Sequence, residues 1–84
     1  MKQVRVRYFA SIREAVGQGS ENVTTSAQTL GALRDELIAR GGPHGQSLAR
    51  GQAVRVALDQ VMSEESQPLR DGCEVAFFPP VTGG

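Results

Sequence analysis

One cysteine, one histidine, one tyrosine and no tryptophan leave this 84-residue chain little chemistry of its own. Cys73 cannot close an internal disulfide, which fits a reducing compartment, with the cytoplasm as the default location. A Cys–His catalytic pair would need folding to unite two singletons: Cys73 just after the Asp71-Gly72 turn, and His44 in a Gly/Pro-rich loop. The same two residues cannot make a four-ligand metal site without carboxylates. The glycines match neither phosphate-loop spacing nor a dinucleotide fingerprint. Nine basic and nine acidic residues cancel, which argues against a general binder of nucleic acid or anionic membranes. No apolar run approaches the roughly 20 residues of a membrane span, and the opening MKQVRVRYF lacks an apolar signal-peptide core. Lysine is scarce too, Lys2 being the only one.

What is present reads as one small domain. Residues 2–9 alternate as a strand, with Val4, Val6 and Tyr8 on one face and Arg5, Arg7 and Phe9 on the other. Ser11 to Val16 suits a short helix with Ser11 as N-cap and Gly17 as its end. A second strand centres on Val23 within Glu21–Thr25. Thr29 caps a helix over Leu30–Arg40, whose Leu30, Leu33, Leu37 and Ile38 form one apolar stripe. Arg34, Asp35, Glu36 and Arg40 are assigned to its wet side. Gly31 costs this helix about 0.5–1 kcal/mol relative to alanine, and Gly41-Gly42-Pro43 stops it. Pro43–Gln52 is a loop with one helical turn near Gln46–Arg50. Val54, Val56 and Leu58 alternate in a strand that turns at Asp59-Gln60 into Val61-Met62. Asp71-Gly72 then turns into the last strand, Glu74–Phe78. One substantial helix must cover one face of a sheet, giving a two-layer α+β domain. The order suits a β-grasp, a mixed sheet curled around one main helix; a ferredoxin-like fold would need a second long helix.

Function is concentrated at the carboxy end. Phe78 and Pro79 each precede a proline and are pushed towards extended conformations, and Pro79 and Pro80 end the sheet ladder for want of an N–H. Residues 1–78 are therefore the body, and Pro79, Pro80, Val81, Thr82, Gly83 and Gly84 form an arm reaching about 20 Å, stiff at its prolines and flexible at Gly-Gly. Gly83-Gly84 lets the α-carboxylate enter a slot where any Cβ would clash. The outer face of the sheet, with Arg5, Arg7, Phe9, Arg55, Ala57, Ala76 and Phe78, reads as a docking surface that aims the arm. A carboxylate is a poor electrophile. It would need activation, most simply as an acyl adenylate made from ATP, before a sulfur donor could displace AMP and leave a thiocarboxylate.

The stretch DGCEVAFFPPVTGG over Asp71–Gly84 resembles the carboxy terminus of the small, sulfur-carrying subunits of molybdopterin synthase. Tyr8-Phe9-Ala10 with Ile12-Arg13-Glu14, Thr29-Leu30 with Ala32-Leu33-Arg34, and Val56–Gln60 extend the resemblance over nearly the whole chain. It implies a ubiquitin-like β-grasp fold that is not catalytic alone. Gly84 would be adenylated by a ubiquitin-activating-type adenylyltransferase that uses ATP, and then thiocarboxylated. The arm would thread into the large synthase subunit of a heterotetramer and give sulfur to a cyclic pterin phosphate precursor. Catalytic lysines would belong to that large subunit, and Arg7, Phe9, Arg55 and Phe78 would form this chain's contact with it. Three readings compete: a thiamin-type sulfur carrier, a protein modifier whose terminal glycine forms an isopeptide bond with lysine, and a plain interaction module whose tail is inert.

Overall fold

The computed structural model describes residues 1–80. Its strands are β1 (Lys2–Tyr8), β2 (Ser20–Thr25), β3 (Arg55–Leu58), β4 (Val61–Ser63) and β5 (Glu74–Phe78); its helices are α1 (Ala10–Val16), α2 (Leu30–Ala39) and α3 (Gly42–Ser47). The five strands form one sheet in the order β2-β1-β5-β3-β4. The first and last strands lie side by side and parallel at its centre, and the other pairs are antiparallel. Parallel neighbours cannot be joined by a hairpin, so the intervening chain must cross a face of the sheet. This is the β-grasp order, and the ferredoxin-like alternative falls because α3 is only six residues long.

Alternation decides which face is covered. Val4, Val6 and Tyr8 of β1 are buried opposite Val23, Val75 and Phe77, and Val56 pairs with Phe77. Onto them α2 lays Leu30, Leu33 and Leu37, each at most 1 % exposed. Each buried leucine contributes about 1.5–3 kcal/mol before entropy is charged against it. Leu48, Leu69, Ile12 and Cys73 close the rim of this core. Val54 and Leu58, expected in the same layer, pack only half-buried against it, and Val54 precedes β3.

The helix boundaries show where side-chain signals mislead. Ser11 is not an N-cap: α1 starts at Ala10, with Phe9 in the cap position and no side-chain cap. The Phe9 carbonyl accepts from the Ile12 and Arg13 N–H groups, and Ala10, at φ 51°, turns the corner out of β1. Thr29 caps α2 as expected, its Oγ1 accepting from the Ala32 N–H at 3.1 Å. Past its end, Gly41 at φ 74° and ψ −166° takes a positive-φ conformation that a side chain would resist. The helical turn expected near Gln46–Arg50 lies earlier, as α3, because Pro43 in the first turn has its φ preset for a helix and starts one there. Asp59 and Gln60 both have positive φ, as a two-residue hairpin turn requires.

Two assignments on α2 are corrected. Gly31 is not a defect in the helix. The segment joining β4 to β5 runs along the start of α2, and its Gln67 and Glu65 carbonyls accept from the Leu30 and Gly31 N–H groups at 3.1 and 2.9 Å. These carbonyls satisfy donors that the helix itself cannot. A Cβ on Gly31 would lie 3.0–3.3 Å from Glu65 atoms. Arg34, assigned to the wet side, is 4 % exposed. Two loops cover that side of the helix, and their carbonyls need donors: Arg34 donates to Leu48 O and Ala49 O at 2.7 Å each, to Gln52 O at 3.0 Å, and to Glu65 at 2.7 Å. Arg50 adds bonds to Asp35, Glu65 and the Gly31 carbonyl.

Candidate functional site

The sheet ladder ends at Phe78, where Pro79 has no N–H to continue it. Around this point the fold gathers the expected contact residues. Phe9 and Phe78 stack face to face, with centroids 4.6 Å apart and planes at 10°. The Arg7 guanidinium sits 5.1 Å from the Phe9 centroid, within cation–π range, and lies 3.8 Å from Glu74. On the next strand Arg55 is registered opposite Phe78. Two stacked rings flanked by two arginines thus mark the root of the arm, with both rings half-buried rather than tucked beneath loops.

The alanines of this face differ from expectation. Ala57 and Ala76 are 3 % and 5 % exposed. They share a row across the sheet with Arg7 on one side and Met62 on the other, so long neighbours flank their methyl groups. The exposed apolar surface lies instead on β4, where Val61 and Met62 are 66 % and 49 % exposed. Met62 shares an apolar depression with Arg55, Phe78 and Pro79. The sequence reading missed Met62 because it treated β4 as the return arm of a turn; its place opposite Ala57 was the available signal.

On the other side of the arm's root, a groove of about 260 Å³ is lined by Ser11, Ile12, Gln46, Ser47, Gln52, Pro79 and Pro80. Its far wall is α3, and a half-buried charge cluster ties α3 to β2. Glu21 on β2 accepts from the Tyr8 hydroxyl at 2.6 Å, Arg40 at 2.8 Å and His44 Nε2 at 3.0 Å. Burial alone would raise the Glu21 carboxyl, but the hydrogen bonds from Tyr8, Arg40 and His44 outweigh it and bring its pKa down to about 2. A carboxylate only accepts, so His44 Nε2 must carry the proton in this bond. Burial first, and then the bond to Glu21, push the Tyr8 phenol well above its ordinary value. His44 is also edge-on to the Tyr8 ring at 5.6 Å.

His44 is therefore committed to Glu21, and Cys73 is buried in the core. Among the described residues, no hydrogen bond joins the two into a catalytic pair. Pro79 and Pro80 are described, half-buried and exposed respectively. Val81, Thr82, Gly83 and Gly84, assigned to threading and to the reactive end, lie outside the described residues.

The mixed sheet with its central parallel pair of terminal strands, packed on α2, defines a ubiquitin-like β-grasp protein. The model of the ThiS family matches residues 6–84, and the chain belongs to that family. It is 40 % identical over 81 residues to the molybdopterin synthase sulfur carrier subunit of Escherichia coli K12, covering 96 % of this chain and 99 % of that protein. It is 33 % identical over 96 residues to small archaeal modifier protein 3 of Haloferax volcanii, covering 98 % and 99 %. Among solved structures, it matches a protein–protein complex of subunits 1 and 2 of the molybdopterin-converting factor from Helicobacter pylori 26695. That match has a TM-score of 0.66 and 28 % identity, over 98 % of this chain and 99 % of the other. Among the described residues no helix is long and apolar enough to cross a membrane.

Proposed function

We propose that this protein is the sulfur carrier subunit of a molybdopterin synthase, working in the cytoplasm with Gly84 as its one reacting residue. The observation that carries the reading is the continuity of β5 with the arm. The strand that presents Phe78 beside Phe9, Arg7 and Arg55 runs directly into Pro79-Pro80-Val81-Thr82-Gly83-Gly84. The similarity to carriers so named spans the chain. A ubiquitin-activating-type adenylyltransferase joins the Gly84 carboxylate to AMP from ATP with release of pyrophosphate. Sulfide-level sulfur then bonds to the acyl carbon, the C–O bond to AMP breaks, AMP leaves, and a thiocarboxylate remains. A persulfide donor would first give an acyl disulfide, which a thiol reductant cleaves.

The body of the chain docks and the arm delivers. Phe9, Phe78 and the Met62 depression supply apolar contact, Arg7 and Arg55 supply charge at the rim, and the prolines lower the ordering cost of threading. The partner is the large synthase subunit, in a heterotetramer with large subunits at its centre, and the acceptor is a cyclic pterin phosphate. The chain holds no cofactor in this scheme; ATP is consumed by the activating partner. A second reading, protein modification through an isopeptide at Gly84, draws on the similarity to the Haloferax modifier. A thiamin-type carrier would share the adenylation and thiocarboxylation steps and differ in acceptor.

The test is the intact mass of the full chain co-expressed with a candidate activating enzyme and a sulfur source. A species heavier by one sulfur-for-oxygen exchange at Gly84 is expected. An unmodified mass, with the activating enzyme shown competent on another carrier, would refute the activation scheme with that partner. Mapping Gly-Gly remnants on cellular lysines separates the modifier reading from the carrier.

A further inference from the structure

An activated carboxyl is a hazard to the protein that bears it, because any nearby amine or thiol can capture it. We infer that this chain is insulated against acylating itself, so that its activated end passes only to nucleophiles that partners supply. We infer also that copies of the chain are not joined to one another through side-chain lysine. This rests on the activation of Gly84 proposed above and adds a rule about where the acyl group can go.

The first observation is chemical. Of nine basic residues eight are arginine, and a guanidinium stays protonated in proteins, with no lone pair to attack an acyl carbon. Both cations at the root of the arm, Arg7 and Arg55, are of this kind. The second is placement. β1 and β5 are parallel with Tyr8 level with Phe77, so Lys2 lies at the end of the sheet opposite the arm's root. From the level of Phe78 back to Lys2 is about seven residues of strand, or about 23 Å. The arm spans at most about 20 Å.

The third observation is that the side-chain amine, thiol, phenol and imidazole are each occupied or covered, while the amine of the exposed Met1 lies beside Lys2 at the far end of the sheet. Lys2 Nζ donates to the Ala27 carbonyl at 2.9 Å, and Cys73 is 5 % exposed within the core. The Tyr8 hydroxyl is 2.6 Å from Glu21, and His44 Nε2 is 3.0 Å from the same carboxylate. Four potential acyl acceptors are thus withheld by three different means. The place where an amine would be most dangerous, the cross-strand partner of Phe78, carries Arg55 instead of lysine.

A chemical thioester tests this without the activating enzyme, so failure of the partner and failure of this inference are distinguishable. The full chain is prepared by intein cleavage as a Gly84 thioester and held at mildly alkaline pH. Arg55→Lys and Gln52→Lys, which set an amine beside the root of the arm, are prepared alike and checked for folding by circular dichroism. In the reaction a lysine nitrogen bonds to the Gly84 carbonyl carbon, the C–S bond breaks, and the thiol leaves with the proton. The arm gives an effective concentration of order 1 mM. With protein at about 10 µM, the variants should form an internal amide about 100-fold faster than wild type forms any adduct between copies. Wild type should lose its thioester by hydrolysis alone, with Lys2 unmodified on peptide mapping. Lys2 adducts in wild type at a rate within tenfold of the variants would overturn the inference. So would variants that stay as unreactive as wild type, since placing arginine there would then protect nothing.

Discussion

Replacing Arg34 with methionine keeps most of the buried stem and removes the fork, so it isolates what the guanidinium does. That group makes four hydrogen bonds, to the Leu48, Ala49 and Gln52 carbonyls and to Glu65. At about 1.5–3 kcal/mol for each bond to a charged group, the gross loss would be about 6–12 kcal/mol. Three terms reduce it. Glu65 keeps Arg50 as a partner, the half-buried Ala49 and exposed Gln52 can recover water, and a buried guanidinium no longer has to be desolvated. The net cost should be about 3–5 kcal/mol, the range seen when one partner of a buried pair is removed. A chain of this size has roughly 4–13 kcal/mol in total, so the variant should sit close to unfolding. Urea titration followed by circular dichroism should show a lowered midpoint with an unchanged slope. Arg34→Lys should recover less than half the loss, because a point charge cannot reach three carbonyls and a carboxylate at once. A loss below about 1 kcal/mol for Arg34→Met would refute the reasoning and mean that water already serves those carbonyls.

Phe78→Ala should weaken binding to the large synthase subunit by about 1–3 kcal/mol, or about 5- to 150-fold in Kd. Calorimetry giving an unchanged affinity would remove the docking face. On the proposed activation scheme, Gly84→Ala should leave folding and docking intact and lower the thiocarboxylate yield, because an added methyl would crowd a slot narrow enough to require glycine; normal yield and turnover by intact mass would count against such a slot. Glu21 makes the pH prediction. Its pKa is depressed from 4.5 to about 2 in the folded protein, so its stabilisation is full above about pH 5 and is lost as pH falls towards 2. The contribution is at most about 3 kcal/mol. Glu21→Gln should flatten the difference in unfolding free energy across that window, and a parallel pH profile would show that the cluster does not couple to folding.

The elements were legible wherever periodicity and turn chemistry agreed: β1 from strict alternation, β5 from the Asp71-Gly72 turn before it, α2 from its leucine stripe and Thr29, the hairpin from Asp59-Gln60. The grouping at the arm's root was legible for the same reason, since alternation alone puts Arg7 with Phe9 and Arg55 opposite Phe78 once the strands are paired. What the pattern could not show was the role of loops. Arg34 looks like a surface residue on a helical wheel, and only carbonyls 14 to 18 residues away and the Glu65 carboxylate 31 residues away make it an interior one. Glu21 and His44 likewise read as the start of a strand and a loop residue, and become partners through a contact 23 residues long in sequence.

Gly31 brings the two kinds of reasoning into direct conflict, with opposite signs. Helix propensity says that Gly31→Ala should stabilise α2 by about 0.5–1 kcal/mol. The structure puts the new Cβ 3.0 Å from Glu65 Oε1, 3.1 Å from its Cβ and 3.3 Å from its carbonyl oxygen. Were Glu65 a free surface side chain it would swing aside and propensity would win. It is not free: Arg34 and Arg50 both hold its carboxylate, and its carbonyl accepts from the Gly31 N–H at 2.9 Å. Making room would disturb all three bonds, so Gly31→Ala should destabilise the fold by about 1–3 kcal/mol, as overpacking does. A gain in stability on urea titration would show the segment before β5 to be soft, and with it the frame on which the last strand and its arm are hung.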